Sequence, residues 1–232
     1  MIQKLENLEK KIKITFKSRD LLTNVFIHRS YLNEHKNFRL PSNERLEFLG
    51  DSVLSLITSV YLFKHFPYLE EGDYTEIKSA VVKTDSLAES SKALGLNEYL
   101  FISKGEEKSQ GRVNKNILAD SFEALIGAIF LDTSFEKAYQ FVCRFLFRDK
   151  LDYLVKNKEY LSPKSRLQEI IQGRFKAIPQ YKVLKQTGPE HKRIFEVGVF
   201  FRGKKLGIGI APSKKEAEEE AAKKSFENLG IL

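Results

Sequence analysis

Three acids, Glu44, Glu47 and Asp51, stand three and four residues apart in the otherwise largely apolar stretch "NERLEFLGDS", residues 43–52. On a helix of about 3.6 residues per turn they share one face, with Leu46, Leu49, Val53, Leu56 and Val60 on the opposite one. No Lys or Arg lies between Arg45 and Lys64, so no local ion pair neutralises them. The run "ILADSFEALIGAIFLD", residues 117–132, repeats the pattern with Asp120 and Glu123. Ala124 and Gly127 flank these two acids and leave room for another body. No Lys or Arg occurs between Lys115 and Lys137. The rest of this helix is apolar nearly all round, which predicts burial.

Unpaired carboxylates in a helical core protonate or recruit a cation. Oxygen donors converging without His or Cys favour Mg2+ or Mn2+ over zinc. Such an ion can orient and deprotonate water for attack on a phosphodiester and stabilise the leaving oxygen. The plainer alternative is a solvated helix face paired with distant lysines. Two acid-bearing, base-free apolar helices in one chain weaken it. His28, His35, His65 and His191 have no metal-ligand spacing. The single cysteine, Cys143 in "FVCRFLF", excludes an internal disulfide framework and reads as a core thiol.

Helices must carry these acids. Apolar periods predict them over 4–11, 19–27, 43–66, 75–94, 116–131 and 135–155. The polar loops "NEHKNFRLPS" and "SKGEEKSQGRVNK" deliver the chain to the two acidic helices. After the polar "VKNKEYLSPK" the texture changes. A short helix stopping near Gly173 precedes three strands, "YKVLKQT", "RIFEVGVFF" and "KLGIGIA". Phe195, Val197, Val199 and Phe201 alternate on one face of the second. Ser213 then caps a last helix. The expected fold class is α+β: an all-helical domain (1–152), a linker (153–161) and a small α-β-β-β-α domain (162–232).

Charge divides the same way. Residues 162–232 hold 15 Lys and Arg against 8 Asp and Glu, which is +7 of the chain's +8. A tail this basic suits a polyanion, nucleic acid before an acidic membrane surface. The amino terminus lacks an apolar signal core, and the apolar runs fall short of a membrane span. The expected location is cytoplasmic, with no membrane partner.

"NERLEFLGDS" resembles the signature of the bacterial ribonuclease III family. "ILADSFEALIGAIFLD" is similar to that family's second acidic helix, and the 163–230 block to its double-stranded-RNA-binding domain. The resemblance implies a homodimer that hydrolyses double-stranded RNA to 5′-phosphate and 3′-hydroxyl ends with 3′ overhangs. Its expected substrates are precursor rRNA and other structured transcripts, with no small-molecule cofactor. By motif position Glu47, Asp51, Asp120 and Glu123 match the metal acids, Asp51 and Glu123 being closest to catalysis. Glu44 matches an acid beside the cluster implicated in RNA contact. Glu71, with Glu70 as the alternative, matches a further active-site acid. In the second domain Gln168 and Glu169 would meet the RNA minor groove, and the Gly188–Lys192 loop a second one through His191. Lys214 and Lys215 would hold phosphate at a helix start. Ala211 stands where the family often has glycine, so the loop into that helix is expected to be stiffer.

Two other classes compete. A non-catalytic RNA-binding relative should lack some metal acids, and all four are present. A duplex-DNA reader should carry a major-groove recognition helix, which the carboxy-terminal layout does not offer.

Overall fold

The computed structural model describes residues 2–189 and 192–229. It divides into two compact units, Met1–Leu154 and Val155–Leu232. In chain order the helices are α1 (Ile2–Ile12), α2 (Arg19–Asn24), α3 (Arg29–Glu34), α4 (Glu44–His65), α5 (Glu71–Val81), α6 (Thr84–Leu94), α7 (Lys104–Lys108), α8 (Lys115–Asp132), α9 (Phe135–Val142) and α10 (Arg148–Lys156). α11 (Pro163–Phe175), β1 (Gln180–Thr187), β2 (Ile194–Phe201), β3 (Lys204–Ala211) and α12 (Lys214–Leu229) follow.

The first unit is built around α8. From Ile117 to Ile129 only Asp120 and Glu123 of its residues escape full burial. α4 packs along it through Leu46, Gly50, Val53, Leu54, Ile57, Thr58 and Leu62. The two helices touch backbone to backbone. A Cβ built on Gly50 would overlap the Glu123 carbonyl, and one on Gly127 would overlap the Leu46 carbonyl. The small residue expected to admit another body therefore admits α4. Among the described residues α4 is also long and apolar enough to cross a membrane, but here it is the core partner of α8.

Several expected boundaries move. The helix expected over 75–94 is two. The Glu70–Asp73 capping box starts α5 early, and the chain turns extended at Lys83 before α6. The helix expected over 19–27 ends at Asn24, because Phe26 and His28 exchange backbone hydrogen bonds with Phe101. The helix expected over 135–155 is interrupted by a wide π turn at Cys143–Phe147. The second polar loop contains α7. Leu56 departs from the expected apolar face: Leu46 and Val53 are buried, but Leu56 is 54% exposed.

In the second unit the sheet order is β1-β2-β3, both pairings antiparallel, with Val183 opposite Val197 and Val197 opposite Gly209. Leu167 and Ile171 of α11, Val199 of β2, and Ala221, Ala222 and Phe226 of α12 form its core. Cβ atoms at Gly207 and Gly209 would collide with the α12 backbone, so "LGIGI" lets that helix lie directly on β3. α11 passes through Gly173 and stops only where Lys176 turns left-handed (φ 53°).

Candidate active site

The start of α4 is pinned before its acids are placed. The Asn43 N–H donates to the Ile27 carbonyl (2.8 Å) and its buried amide to the Val25 carbonyl (3.1 Å). Glu44 and Glu47 then occupy the first turn, where the helix dipole favours negative charge. α8 begins at Asn114, whose side chain caps the Asn116 N–H (2.9 Å). Because α4 and α8 cross at Gly50 and Gly127, Glu47, one turn before Gly50, converges with Glu123 and Asp120, one and two turns before Gly127. Oxygens of Glu47, Asp120 and Glu123 all lie within 4.8 Å of one another, each side chain half-buried. Hard oxygen donors at this spacing, without His or Cys, fit a dication such as Mg2+ or Mn2+.

Asp51, exposed one turn along α4, lies outside that set, yet its charge acts on Glu123. Burial, and after it the charges of Asp51, Asp120 and Glu47, push the Glu123 carboxyl up to about 8. Burial and the neighbouring acids also raise Glu47, and burial raises Asp120. Glu44 is more exposed and accepts a hydrogen bond from the Ser42 hydroxyl (2.7 Å). Glu71 opens α5, accepts from the Thr75 hydroxyl (3.3 Å), and is not among the clustered acids. Glu70 is taken up in capping.

One charge escaped the sequence reading. Arg29, at the start of α3, places Nη1 3.7 Å from Glu44 Oε1 and counteracts the upward shifts of Glu47 and Asp120. No local spacing could have revealed it, since it arrives from another helix. Cys143 is half-buried and its thiol is pushed up to about 11 by burial, which suits an inert thiol.

The raised Glu123 value fixes a pH dependence. Between the ordinary glutamate value and about 8, the folded metal-free protein holds a proton that the unfolded chain releases. The stability from this group is complete below about pH 4.5 and is lost as pH rises through about 8. A metal taken up through Glu123 would have to displace that proton. The melting-temperature rise on adding Mg2+ should therefore grow from pH 6 to pH 8, as differential scanning fluorimetry would register. A pH-independent rise would contradict the coupling.

In the second unit Gln168 and Glu169 are exposed on α11, with Glu169 paired to Lys158 (2.8 Å). The Ser213 hydroxyl caps α12 by accepting from the Glu216 N–H (3.2 Å). Lys214 and Lys215 in its first turn are exposed and, among the described residues, make no ion pair. Of the acids that follow, Glu216 is exposed, while Glu218 binds Lys164 and Glu220 accepts from the Ile210 N–H (2.9 Å). His191 lies outside the described residues.

Residues 18–150 match the family model "Ribonuclease-III-like", and residues 163–229 match "Double-stranded RNA binding motif". The chain belongs to the ribonuclease III family. It is 43% identical to Ribonuclease 3 of Treponema denticola over 98% of this chain and 92% of that protein. The Geobacillus enzyme of the same name is 42% identical over 99% and 92%. The nuclease domain of ribonuclease III from Campylobacter jejuni superposes with a TM-score of 0.57 at 37% identity, covering 61% of this chain and 95% of that one. The α+β architecture expected from the sequence is the family's, and the activity is that of a double-stranded-RNA-specific endonuclease. Enzymes of this family are metal-dependent nucleases, and the Glu47, Asp120 and Glu123 cluster is where this chain could hold a metal.

Proposed function

We propose that Glu47, Asp51, Asp120 and Glu123 hold Mg2+, for which Mn2+ substitutes, and that Asp51 and Glu123 act closest to the chemistry. The observation that carries this reading is the convergence of three half-buried carboxylates from two helices that touch backbone to backbone. Mg2+ bound there would supply water activation and stabilisation of the leaving oxygen. Hydrolysis forms a bond from water oxygen to phosphorus and breaks the bond to the 3′ oxygen, which takes a proton. The products are a 5′-phosphate and a 3′-hydroxyl, with 3′ overhangs on the duplex. Glu44 lies beside the reacting phosphate, and Glu71, or its neighbour Glu70, borders the site.

The protein acts as a homodimer. Phe48, Leu56 and Phe63 form an exposed stripe on α4, at 78, 54 and 73% exposure, and an uncovered apolar patch of this kind marks an interface. The Campylobacter jejuni nuclease domain has a region involved in dimer formation. Sedimentation of the RNA-free protein at micromolar concentration should give a dimer. The free thiol supports a cytoplasmic location, where precursor rRNA and other structured transcripts are processed.

In the second unit Gln168, Glu169 and the Gly188–Lys192 loop with His191 meet the minor groove, and Lys214 and Lys215 meet phosphate. Replacing both lysines by Ala should weaken binding to all RNA duplexes alike, because phosphate contacts carry no sequence information. The slope of log affinity against log salt should shallow by roughly one to two units. An unchanged slope would remove them from the interface.

The deciding experiment compares RNA and DNA duplexes of one sequence, end-labelled, with and without Mg2+. Cleavage of RNA alone, only with the metal, and with 5′-phosphate products is expected. Metal-independent cleavage, or cutting of the DNA duplex, would overturn the reading.

A further inference from the structure

Arg29 stands beside the acidic cluster with its hydrogen-bonding capacity unused. Its side chain is 74% exposed, and its ion pair with Glu44, at 3.7 Å, is too long for a hydrogen bond. Among the described residues its guanidinium donates to nothing. Arg19 is committed to Glu9, Arg39 to Asp20, and Arg112 to Glu107 and to the carbonyls of Asn97 and Leu100. Arg45 is as exposed and as uncommitted as Arg29, but it does not line the acidic cavity, and Arg29 does.

The backbone beneath Arg29 is, by contrast, fixed from three sides. The His28 N–H donates to the Phe101 carbonyl (3.0 Å), the Asn43 N–H to the Ile27 carbonyl (2.8 Å), and the Ser103 N–H to the Ser30 hydroxyl (3.0 Å). The His28 ring caps α3 by accepting from the Ser30 N–H (3.3 Å), and burial lowers its pKa, which favours the neutral form that can do so. This anchor sets Arg29 at a cavity of about 320 Å³ lined also by His28, Asn43, Glu44, Glu47 and Asp120.

A cation here opposes the uptake of a dication by the same acids. The two positive charges are compatible when an anion lies between them. In a phosphodiester hydrolase that anion is the substrate. A planar guanidinium matches two phosphate oxygens at once. Donors already in place stabilise the charge that grows on those oxygens in the transition state.

We propose that Arg29 is a catalytic residue of this reaction. When duplex RNA enters, its guanidinium leaves Glu44 and takes a non-bridging oxygen of the scissile phosphate. The inference rests on the endonuclease reading above, with Glu47, Asp120 and Glu123 as the metal site.

The test compares wild type, Arg29→Lys and Arg29→Gln in single-turnover cleavage at saturating protein. It adds the Mg2+ dependence of the melting temperature of each RNA-free protein. Arg29→Gln should cut about 10²- to 10³-fold more slowly, with Arg29→Lys in between. Its Mg2+ midpoint should stay or move to lower concentration, because a repelling charge has gone. Sulfur in place of one of the two non-bridging scissile oxygens should slow the wild type more than Arg29→Gln. Equal thio effects, an unchanged rate, or a slower rate that excess Mg2+ repairs would each overturn the proposal. In the last case Arg29 would be organising the metal site. A wild type that fails to cut RNA brings down the endonuclease reading as well. A wild type that cuts beside an equally active Arg29→Gln overturns this inference alone.

Discussion

Gly50→Ala should destabilise the first unit and remove its response to metal. The added methyl would occupy the space of the Glu123 carbonyl on α8, and no flexible side chain is there to yield. Two effects oppose each other. Alanine gains about 1 kcal/mol of helix propensity over glycine. Overpacking costs about 1–3 kcal/mol, and more where backbone must move. Here α4 and α8 must part along their contact, so the overpacking cost wins. For a domain of this size each net kcal/mol lowers the melting temperature by roughly 2–4 °C. Parting the helices also separates Glu47 from Asp120 and Glu123, so added Mg2+ should no longer raise what stability remains. Gly72→Ala is the control: Gly72 is helical too, and nothing lies within 4 Å of its added methyl. Thermal unfolding of both variants, with and without Mg2+, checks this. A Gly50→Ala protein with wild-type melting and wild-type metal response would show that the crossing does not build the site.

The same crossing marks the limit of what the sequence reveals. Spacing places Glu44, Glu47 and Asp51 on one face of α4, and Asp120 with Glu123 on one face of α8, because a helix fixes angles between its own residues. It cannot state which residues of two helices meet. That depends on where their backbones can approach, and Gly50 and Gly127 decide it. Gly127 is legible as room for something, while its occupant, the Leu46 carbonyl, is not. Leu56 shows a related limit. Apolar period says that a side chain leaves water, not whether its cover is α8 or a second copy of the chain. Arg29 was invisible because opposite charges from different elements leave no periodic trace.

In the second unit more was legible, since the evidence is local. Strand alternation through Val197 and Val199 and the Ser213 cap each involve residues close in sequence. Two boundaries of the first unit were missed for different reasons. The end of α2 depends on hydrogen bonds with distant Phe101, whereas the start of α5 depends on a local reciprocal cap in which Glu70 stands where Ser or Thr is usual. The glycines of "LGIGI" weaken a strand by propensity, and only their contact with α12 explains their presence.

Glu123→Ala should abolish cleavage and leave RNA binding nearly intact. Glu123 is held among Glu47, Asp120 and Asp51, and burial and then the charges of those acids suppress its ionisation at neutral pH. In the proposed site a dication is the partner that would let all these acids ionise together, so removing Glu123 would remove one of its ligands. Loss of a metal position costs several kcal/mol of barrier, about 10³-fold or more in rate. Affinity for RNA has another source, the basic second unit, whose charge the substitution does not touch. The fold should survive, since the variant relieves repulsion among crowded acids and leaves the Glu123 carbonyl against Gly50 in place. The pH dependence supplies an independent check. Wild type without metal loses stability as pH rises towards 8, and Glu123→Ala should flatten that decline because the titrating group is gone. Single-turnover cleavage and gel-shift affinity on one duplex, with Mg2+ titrated from low to high millimolar, separate the outcomes. Wild-type rates at low Mg2+ would take Glu123 out of the metal site. Binding lost in step with cleavage would make it an organiser of the RNA groove.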